Sequence, residues 1–160
     1  SENFAFINSY YKRVGPVIRA NGGFIDKYLG DGFMALFPAS ADRALDAAIE
    51  MQKTLIEYNR SRTERNFRPI AVGVGIHSGR CILGLVGEKK RMDGTVISDA
   101  VNVASRLEKL TQEHDCFAIV SKEATGTLKE EKKYKLKDLG SVQVRGRQES
   151  VSILGLEGTL

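Results

Sequence analysis

Two short stretches of the chain hold the residues best suited to chemistry. In residues 27–37, apolar runs flank an Asp-Gly pair, which predicts a β-hairpin with the carboxylate of Asp31 at its apex, where a cation could reach it. In residues 95–106, a strand end is expected to run into a helix. Asn102 and Arg106 are four residues apart there, so an amide and a guanidinium project from one helical face. Together the two stretches indicate a nucleotide-handling site.

The elements that must position these side chains follow from the spacing of apolar residues. Apolar residues recur every three or four positions in three segments, which predicts helices over residues 2–20, from a cap at Ser40, and over residues 98–112. Two β-rich runs, residues 70–77 and 81–86, are separated by Ser-Gly-Arg and predict a second hairpin. The last third of the chain is expected to form strands and loops around one short helix.

This order of elements predicts an α+β sandwich, with helices packed on one face of a mainly antiparallel sheet. A helix that leads into a central hairpin commonly has a strand before it, and that strand would complete a ferredoxin-like β-α-β-β-α-β core. With 160 residues, the chain is long enough for one compact domain without a metal or a disulfide to stabilise it. We therefore expect a single domain over residues 1–160 that is N-terminally truncated, with its first strand missing.

Composition narrows the possible partners. The net charge of +4 is concentrated in residues 88–91 and 129–137, which are interpreted as solvated loops. These basic residues lack interleaved stacking aromatics, so nucleic acid is not an expected partner. No apolar stretch approaches the length of a membrane span, so no direct membrane contact is expected from this domain. Because the two cysteines lack paired or metal-type spacing, we expect a cytoplasmic domain, whether or not the parent protein is membrane-attached.

Four segments resemble the catalytic domain of class III nucleotide cyclases, and the similarity extends over nearly the whole chain. Residues 23–31 are similar to the family's purine-lysine and metal-aspartate segment, and residues 73–79 to its central strand. Residues 95–108 resemble its catalytic helix, and residues 139–147 resemble its closing hairpin. Because all four occur in the family's order, the resemblance implies the ferredoxin-like cyclase fold.

The resemblance implies a role for each matching residue. Asp31 would be a ligand of two metal ions, Mg²⁺ or Mn²⁺, which suit hard carboxylate oxygen and would activate the ribose 3′-hydroxyl. Asn102 would orient the ribose, and Arg106 would stabilise the charge that develops during displacement at the α-phosphorus. Arg145 and Arg147 both lie in the closing hairpin and are both expected to bind substrate, and the sequence does not decide which of them meets the triphosphate.

Lys27 and Thr95 would select the base. Guanylyl members of the family usually have a glutamate and a cysteine at these positions, whereas many bacterial adenylyl members have lysine and threonine. Adenine offers ring-nitrogen acceptors and an exocyclic amine donor, which a lysine and a hydroxyl can meet. The resemblance therefore implies an adenylyl cyclase that converts ATP to 3′,5′-cyclic AMP and pyrophosphate in cyclic-nucleotide signalling.

Two further properties of the family bear on this chain. Its first strand carries a motif of the type Phe-x-Asp-Ile-x-x-Phe-Thr, which supplies the first metal aspartate and has no match here. We expect that aspartate upstream in a longer protein, and without it this chain is expected to be inactive. The family's active sites lie between two subunits, so the resemblance also implies a homodimer with two shared sites.

Several alternatives stay open because each residue has a plain structural interpretation when considered alone. Asp-Gly is ordinary turn chemistry wherever a hairpin occurs. His77 and Cys81 are four residues apart and are expected to pack in the core rather than bind a metal. The rival functions are a catalytically silent cyclase-like module that dimerises and regulates, a guanylyl cyclase and, more distantly, a nucleic-acid-binding ferredoxin-like domain.

Overall fold

The chain divides into two compact units, Ser1–Val72 and Gly73–Leu160, which are described separately. A computed structural model describes residues 2–29, 32–79, 83–86, 89–92 and 94–160. The expectation of a single domain over residues 1–160 stays a prediction. Within the described residues, no helix combines the length and the apolar character needed to cross a membrane.

The first unit consists of two helices and one hairpin. Its elements are α1 (Glu2–Ala20), β1 (Phe24–Leu29), β2 (Gly32–Leu36) and α2 (Ala41–Glu64). Helix α1 lays Tyr10 and Val14, both with no exposed surface, against α2, and the Tyr10 hydroxyl donates a 3.0 Å hydrogen bond to the carbonyl of Met51. Ser40 is the N-cap residue of α2, as predicted, but its side chain makes no capping hydrogen bond. The helix is therefore stabilised mainly by its buried face.

A tight helix end directs the chain from α1 into the hairpin. Gly22 has a φ of 77°, and the amides of Gly22 and Gly23 donate to the carbonyls of Arg19 and Ile18 at 3.0 and 2.9 Å. This is the Schellman arrangement, which places a left-handed residue just after the helix. Strands β1 and β2 then pair antiparallel up to Leu29 opposite Gly32, which confirms the first predicted hairpin.

The second unit is a four-stranded sheet covered by a long helix. Its main elements are β3 (Val74–Ile76), β4 (Leu83–Val86), β5 (Lys89–Met92), α3 (Gly94–Leu110), β6 (Ala118–Ser121), α4 (Lys122–Thr125), β7 (Tyr134–Val142) and β8 (Val151–Thr159). Among the described residues the sheet order is β3-β6-β8-β7, in which the β3–β6 pair is parallel and the β6–β8 and β7–β8 pairs are antiparallel. Helix α3 buries Val103 and Leu107 completely in a cluster that includes Ile119 and Ile153. The predicted α+β class, with helices packed on a mainly antiparallel sheet, is confirmed.

The predicted second hairpin, residues 70–77 and 81–86 joined by Ser-Gly-Arg, stays a prediction, because residues 80–82 lie outside the described residues. Where the structure is described, β3 pairs with β6 and β4 pairs antiparallel with β5. The interpretation of residues 88–91 as a loop is wrong for residues 89–91, since Lys89–Met92 forms β5. Ladder hydrogen bonds come from the backbone, and charged residues are tolerated on the edges of sheets.

Helix α3 begins earlier than expected. The sequence predicts a strand end near residue 95 and a helix from about residue 98, but the helix starts at Gly94. The β-branched residues 95–97 suggested a strand. Their cost in a helix is only a few tenths of a kcal/mol each, and adding a turn to an already nucleated helix outweighs it.

Candidate active site

One exposed face of α3 carries the two residues with the strongest catalytic chemistry. The side chains of Asn102 and Arg106 are exposed, and no described residue forms an ion pair with Arg106. Val103 and Leu107, which lie next to them in sequence, have no exposed surface. An amide and a guanidinium four residues apart are therefore presented together on a helix whose opposite face is fixed in the core.

Helix α3 lies directly on the backbone of β3. A Cβ added at Gly75 would collide with the carbonyl oxygen of Ala104 and would lie only 2.6 Å from the amide nitrogen of Glu108. A Cβ at Gly73 would collide with the hydroxyl of Thr111 and lie 3.2 Å from the carbonyl oxygen of Glu108. Only glycine allows so close an approach of strand and helix. The contact sets the position of the helix segment that carries Asn102 and Arg106.

A tight turn between β7 and β8 presents Arg145. The amide of Arg147 donates a 3.0 Å hydrogen bond to the carbonyl of Val144, and Gly146 has a φ of 89°. A positive φ at the third position is what a type II turn requires. Val144 is buried in the core cluster, so the turn is anchored on one side. Arg145 is exposed, and no described residue pairs with its charge.

Arg147, two residues along, is held by two carboxylates. Its Nε and Nη2 donate to the two carboxylate oxygens of Asp99 at 3.3 and 2.9 Å, and its Nη1 donates to Glu123 at 2.7 Å. The hydrogen bond from Arg147 lowers the pKa of Asp99 below its ordinary value. Hydrogen bonds to Asp99 and Glu123 raise the pKa of Arg147. Asp99 is in α3 and Glu123 in α4, so one side chain ties the turn to both helices.

Beneath this cluster lies His77, whose side chain is only 1% exposed. Its Nδ1 is 2.8 Å from the hydroxyl of Ser121, and its Nε2 accepts a long 3.4 Å hydrogen bond from Nη2 of Arg147. Because a guanidinium can only donate, the tautomer in which both contacts are hydrogen bonds has no proton on Nε2 and has Nδ1–H donating to Ser121. Burial lowers the pKa of His77, which agrees with a neutral ring. This placement fits the predicted core role for His77, while Cys81 lies outside the described residues.

The remaining predicted residues are placed only in part. Lys27 belongs to β1 and Thr95 to the first turn of α3, but the structure does not describe either side chain. Asp31 lies outside the described residues. Within the part of the chain that is described, no three His, Cys, Asp or Glu side chains form a group that could hold a metal ion.

The comparison with protein families decides the assignment. The sequence model of one protein family, the adenylate and guanylate cyclase catalytic domain, matches residues 2–155 of this chain, which run across both compact units. The chain belongs to this family. The predicted resemblance to the class III nucleotide cyclases is therefore confirmed.

Among curated proteins, this cyclase domain is similar to proteins named adenylate cyclases. It is 42% identical over 158 residues to an adenylate cyclase of Anabaena cylindrica, a match that covers 95% of this chain and 32% of that protein. It is 40% identical over 156 residues to the terminal-differentiation-specific adenylate cyclase of Dictyostelium discoideum, covering 92% of this chain and 7% of that protein. The cyclase domain thus spans a third or less of these two relatives.

Solved structures show the same fold. A bacterial light-regulated adenylyl cyclase superposes with a TM-score of 0.76 at 24% identity, over 96% of this chain and 44% of that chain. The guanylyl cyclase Cya2 superposes with a TM-score of 0.74 at 27% identity, over 98% of this chain and 80% of that chain. Both adenylyl and guanylyl enzymes share this fold, so the fold alone does not select the base.

Sequence reasoning about the cyclase domain overlooked the carboxylates around Arg147. Helical spacing does put Asp99 on the face of Asn102 and Arg106, because the three are separated by three and four residues, but that spacing gave no reason to pair Asp99 with Arg147. Glu123 carries no local signal, since its approach to Arg147 depends on where α4 packs. Gly73, just before β3, and Gly75, within it, were visible in the sequence, yet only the packed structure shows that α3 lies against them.

Proposed function

We propose that this cyclase domain converts ATP to 3′,5′-cyclic AMP and pyrophosphate in cyclic-nucleotide signalling. The observation that carries the proposal is the exposed pair Asn102 and Arg106, four residues apart on a helix fixed by backbone contact with β3. The two relatives that are 40% and 42% identical to this chain and are named adenylate cyclases support the same reaction class.

Each residue of the pair has a distinct task in this reaction. Arg106 donates hydrogen bonds to the oxygens of the α-phosphate, where negative charge grows as the ribose 3′-oxygen attacks and pyrophosphate leaves. Asn102 has both a donor and an acceptor, and it orients the ribose for attack in line with the leaving oxygen. Both side chains belong to α3. Because this helix is packed against the sheet, it does not have to move during the reaction.

Arg145 is the proposed contact for the triphosphate. Its exposed guanidinium extends from a turn anchored by buried Val144, and no described carboxylate occupies it. Arg147 donates three hydrogen bonds to Asp99 and Glu123. A guanidinium that is free of carboxylates can form paired hydrogen bonds with phosphate oxygens. Of the two arginines that sequence alone left open, we therefore assign Arg145 to the phosphates.

Asp31 is the proposed metal ligand of this chain. It follows β1, which pairs with β2 up to the last residue before the connecting pair. One carboxylate suits Mg²⁺ or Mn²⁺, which are commonly bound by one or two carboxylates together with substrate phosphates and water. Bound there, two such ions would supply activation of the 3′-hydroxyl and neutralisation of the triphosphate charge.

Base selection and assembly complete the proposal. Lys27 and Thr95 meet the adenine, because a lysine donor and a hydroxyl suit its ring nitrogens and exocyclic amine. Two copies of the chain form a homodimer in which the metal-binding residue comes from one subunit and the residues of α3 come from the other. The rival functions are a guanylyl cyclase, which shares the fold, and a cyclase-like module that dimerises without turnover.

The direct test supplies the full-length protein with ATP or GTP, each with Mg²⁺ or Mn²⁺, and identifies the cyclic product by mass spectrometry. We expect cyclic AMP from ATP at a rate well above that of any cyclic GMP. Predominant cyclic GMP would select the guanylyl cyclase. Tight binding of an ATP analogue with no cyclic product under any of the four conditions would select the silent module.

A further inference from the structure

The ion-pair cluster of Arg147 holds the turn that carries Arg145. Arg147 donates to both oxygens of Asp99 and to Glu123, which is a paired, charge-assisted arrangement rather than a single surface contact. A lone exposed ion pair contributes little, but one planar guanidinium shared by two carboxylates restricts the orientation of its side chain. The turn is therefore anchored at both ends, by buried Val144 before Arg145 and by Arg147 after it.

Arg147 contacts α3 on the same face that carries Asn102 and Arg106. Asp99 precedes Asn102 by three residues and Arg106 by seven, so all three lie along one face of the helix. Gln143 adds a further restraint, since its side-chain amide donates a 2.7 Å hydrogen bond to the carbonyl of Arg147. The turn is thus joined to the same helical face that presents the proposed catalytic residues.

We infer that Arg147 is a positioning residue, which fixes the 144–147 turn to α3 and α4 so that Arg145 is preorganised for the triphosphate. The inference rests on the proposed function. It assigns Arg147 no contact with substrate, because four of its five N–H donors are already used by Asp99, Glu123 and the imidazole of His77. The substrate class served by this arrangement is a nucleoside triphosphate bound through its phosphates.

The two possible roles of Arg147 make opposite predictions for Asp99→Asn. If Arg147 positions the turn, both Asp99→Asn and Arg147→Met loosen it, and each should raise the KM for ATP roughly tenfold, with a smaller effect on kcat, because α3 stays packed on β3. If Arg147 bound phosphate itself, Asp99→Asn would release a guanidinium from a competing carboxylate, and KM would stay the same or fall. That second result would overturn the inference.

A conservative variant and a matched control sharpen the test. Lysine has one compact charge and cannot form the paired hydrogen bonds that Arg147 makes with Asp99. Arg147→Lys should therefore recover little of the affinity for ATP that Arg147→Met loses. If Arg147 only contacted a phosphate, lysine would replace it well. Glu157→Gln removes an acid from another ion pair on the same sheet, that with Lys135 at 3.9 Å, and should leave KM unchanged. Full recovery by Arg147→Lys would contradict the positioning role.

A readout without catalysis separates this inference from the proposed function. Amide hydrogen exchange over residues 143–148 of the full-length protein should be faster in Asp99→Asn and in Arg147→Met than in the wild type and in Glu157→Gln. If the wild type makes no cyclic nucleotide but exchange follows this pattern, the proposed function is wrong, and the role of Arg147 in fixing the 144–147 turn is supported. If the wild type is active and exchange is the same in all four proteins, Arg147 does not fix the turn.

Discussion

At the scale of single residues, the buried imidazole of His77 makes stability depend on pH. Burial lowers its pKa below the ordinary 6.5, and nearby Arg147 acts in the same direction, while Glu123 and Asp99 oppose the shift. In the range between the folded pKa and 6.5, the unfolded chain binds a proton that the folded protein does not. Stability from this residue is therefore complete above pH 6.5 and is lost as the pH falls towards the folded pKa.

Replacing His77 with glutamine tests the direction of this pH dependence of stability. Glutamine keeps a side-chain donor for Ser121 but does not titrate, so the free energy of unfolding of His77→Gln should fall less between pH 7.5 and pH 5.5 than that of the wild type. Each unit of pKa difference corresponds to about 1.4 kcal/mol. The measurement is urea unfolding at both pH values. Parallel losses in the two proteins would contradict a neutral, buried imidazole.

The sequence predicts the placement of a candidate site residue well where its local spacing follows a clear helical or strand period. Asn102 and Arg106 could be placed on one helical face because the helical period is strong in that segment. Arg145 and Arg147 could not be told apart, since the difference between an exposed guanidinium and one held by two carboxylates arises from α3 and α4 packing beside the turn. Such contacts join residues that are far apart in sequence.

At the scale of secondary-structure elements, the contact between β3 and α3 determines where the proposed catalytic face lies. Gly75→Ala would force a methyl group against the carbonyl of Ala104 and the amide of Glu108, which are backbone atoms that cannot rotate away. We expect a loss of about 1–3 kcal/mol in the free energy of unfolding and a fall in kcat, because α3 must shift. Urea unfolding and cyclase assays measure the two effects.

Gly79→Ala is the matched control for this prediction. Among the residues that the structure describes, its added Cβ would meet only the Cβ of Ala100, at an ordinary distance of 3.6 Å, although Gly79 follows the same strand and faces the same helix. We expect near wild-type stability and activity from it. If Gly75→Ala behaved like Gly79→Ala, the close approach of β3 to α3 would not be what positions the helix.

Helices and strands were predicted correctly where the sequence pattern that indicates them lies within the element itself or beside it. The β1–β2 hairpin follows from an Asp-Gly pair between apolar runs, and α1 and α2 follow from the helical period. Strand β3 is only three residues long, and its parallel partner β6 comes more than 40 residues later, so no local pattern identifies the pair. The pairing of β4 with β5 is local, and it was missed because the charged residues 89–91 indicated a loop.

At the scale of the whole molecule, the proposal needs two chains for each active site. Asp31→Ala removes the proposed metal ligand, and Arg106→Ala removes the proposed donor to the α-phosphate, so each homodimer should be inactive. A heterodimer of the two variants regains one intact site of two, since the substituted residues then share the other site. We expect about half of the wild-type activity from the purified heterodimer.

Two differently tagged copies, co-expressed and purified through both tags, provide that heterodimer. The two homodimers purified alongside it are the controls for residual activity. No activity in a heterodimer shown to contain both chains would contradict the shared site.

The central claim is that the exposed face of α3 carries out nucleotide cyclisation, and one comparison of variants tests it most directly. Arg106→Ala and Lys109→Ala each remove an exposed basic side chain from the same helix, and only Arg106 is assigned to the reaction. In cyclic AMP assays of the full-length protein, we predict that Arg106→Ala lowers kcat roughly a hundred- to a thousandfold, while Lys109→Ala keeps wild-type activity. Equal activity in the two variants would contradict the account.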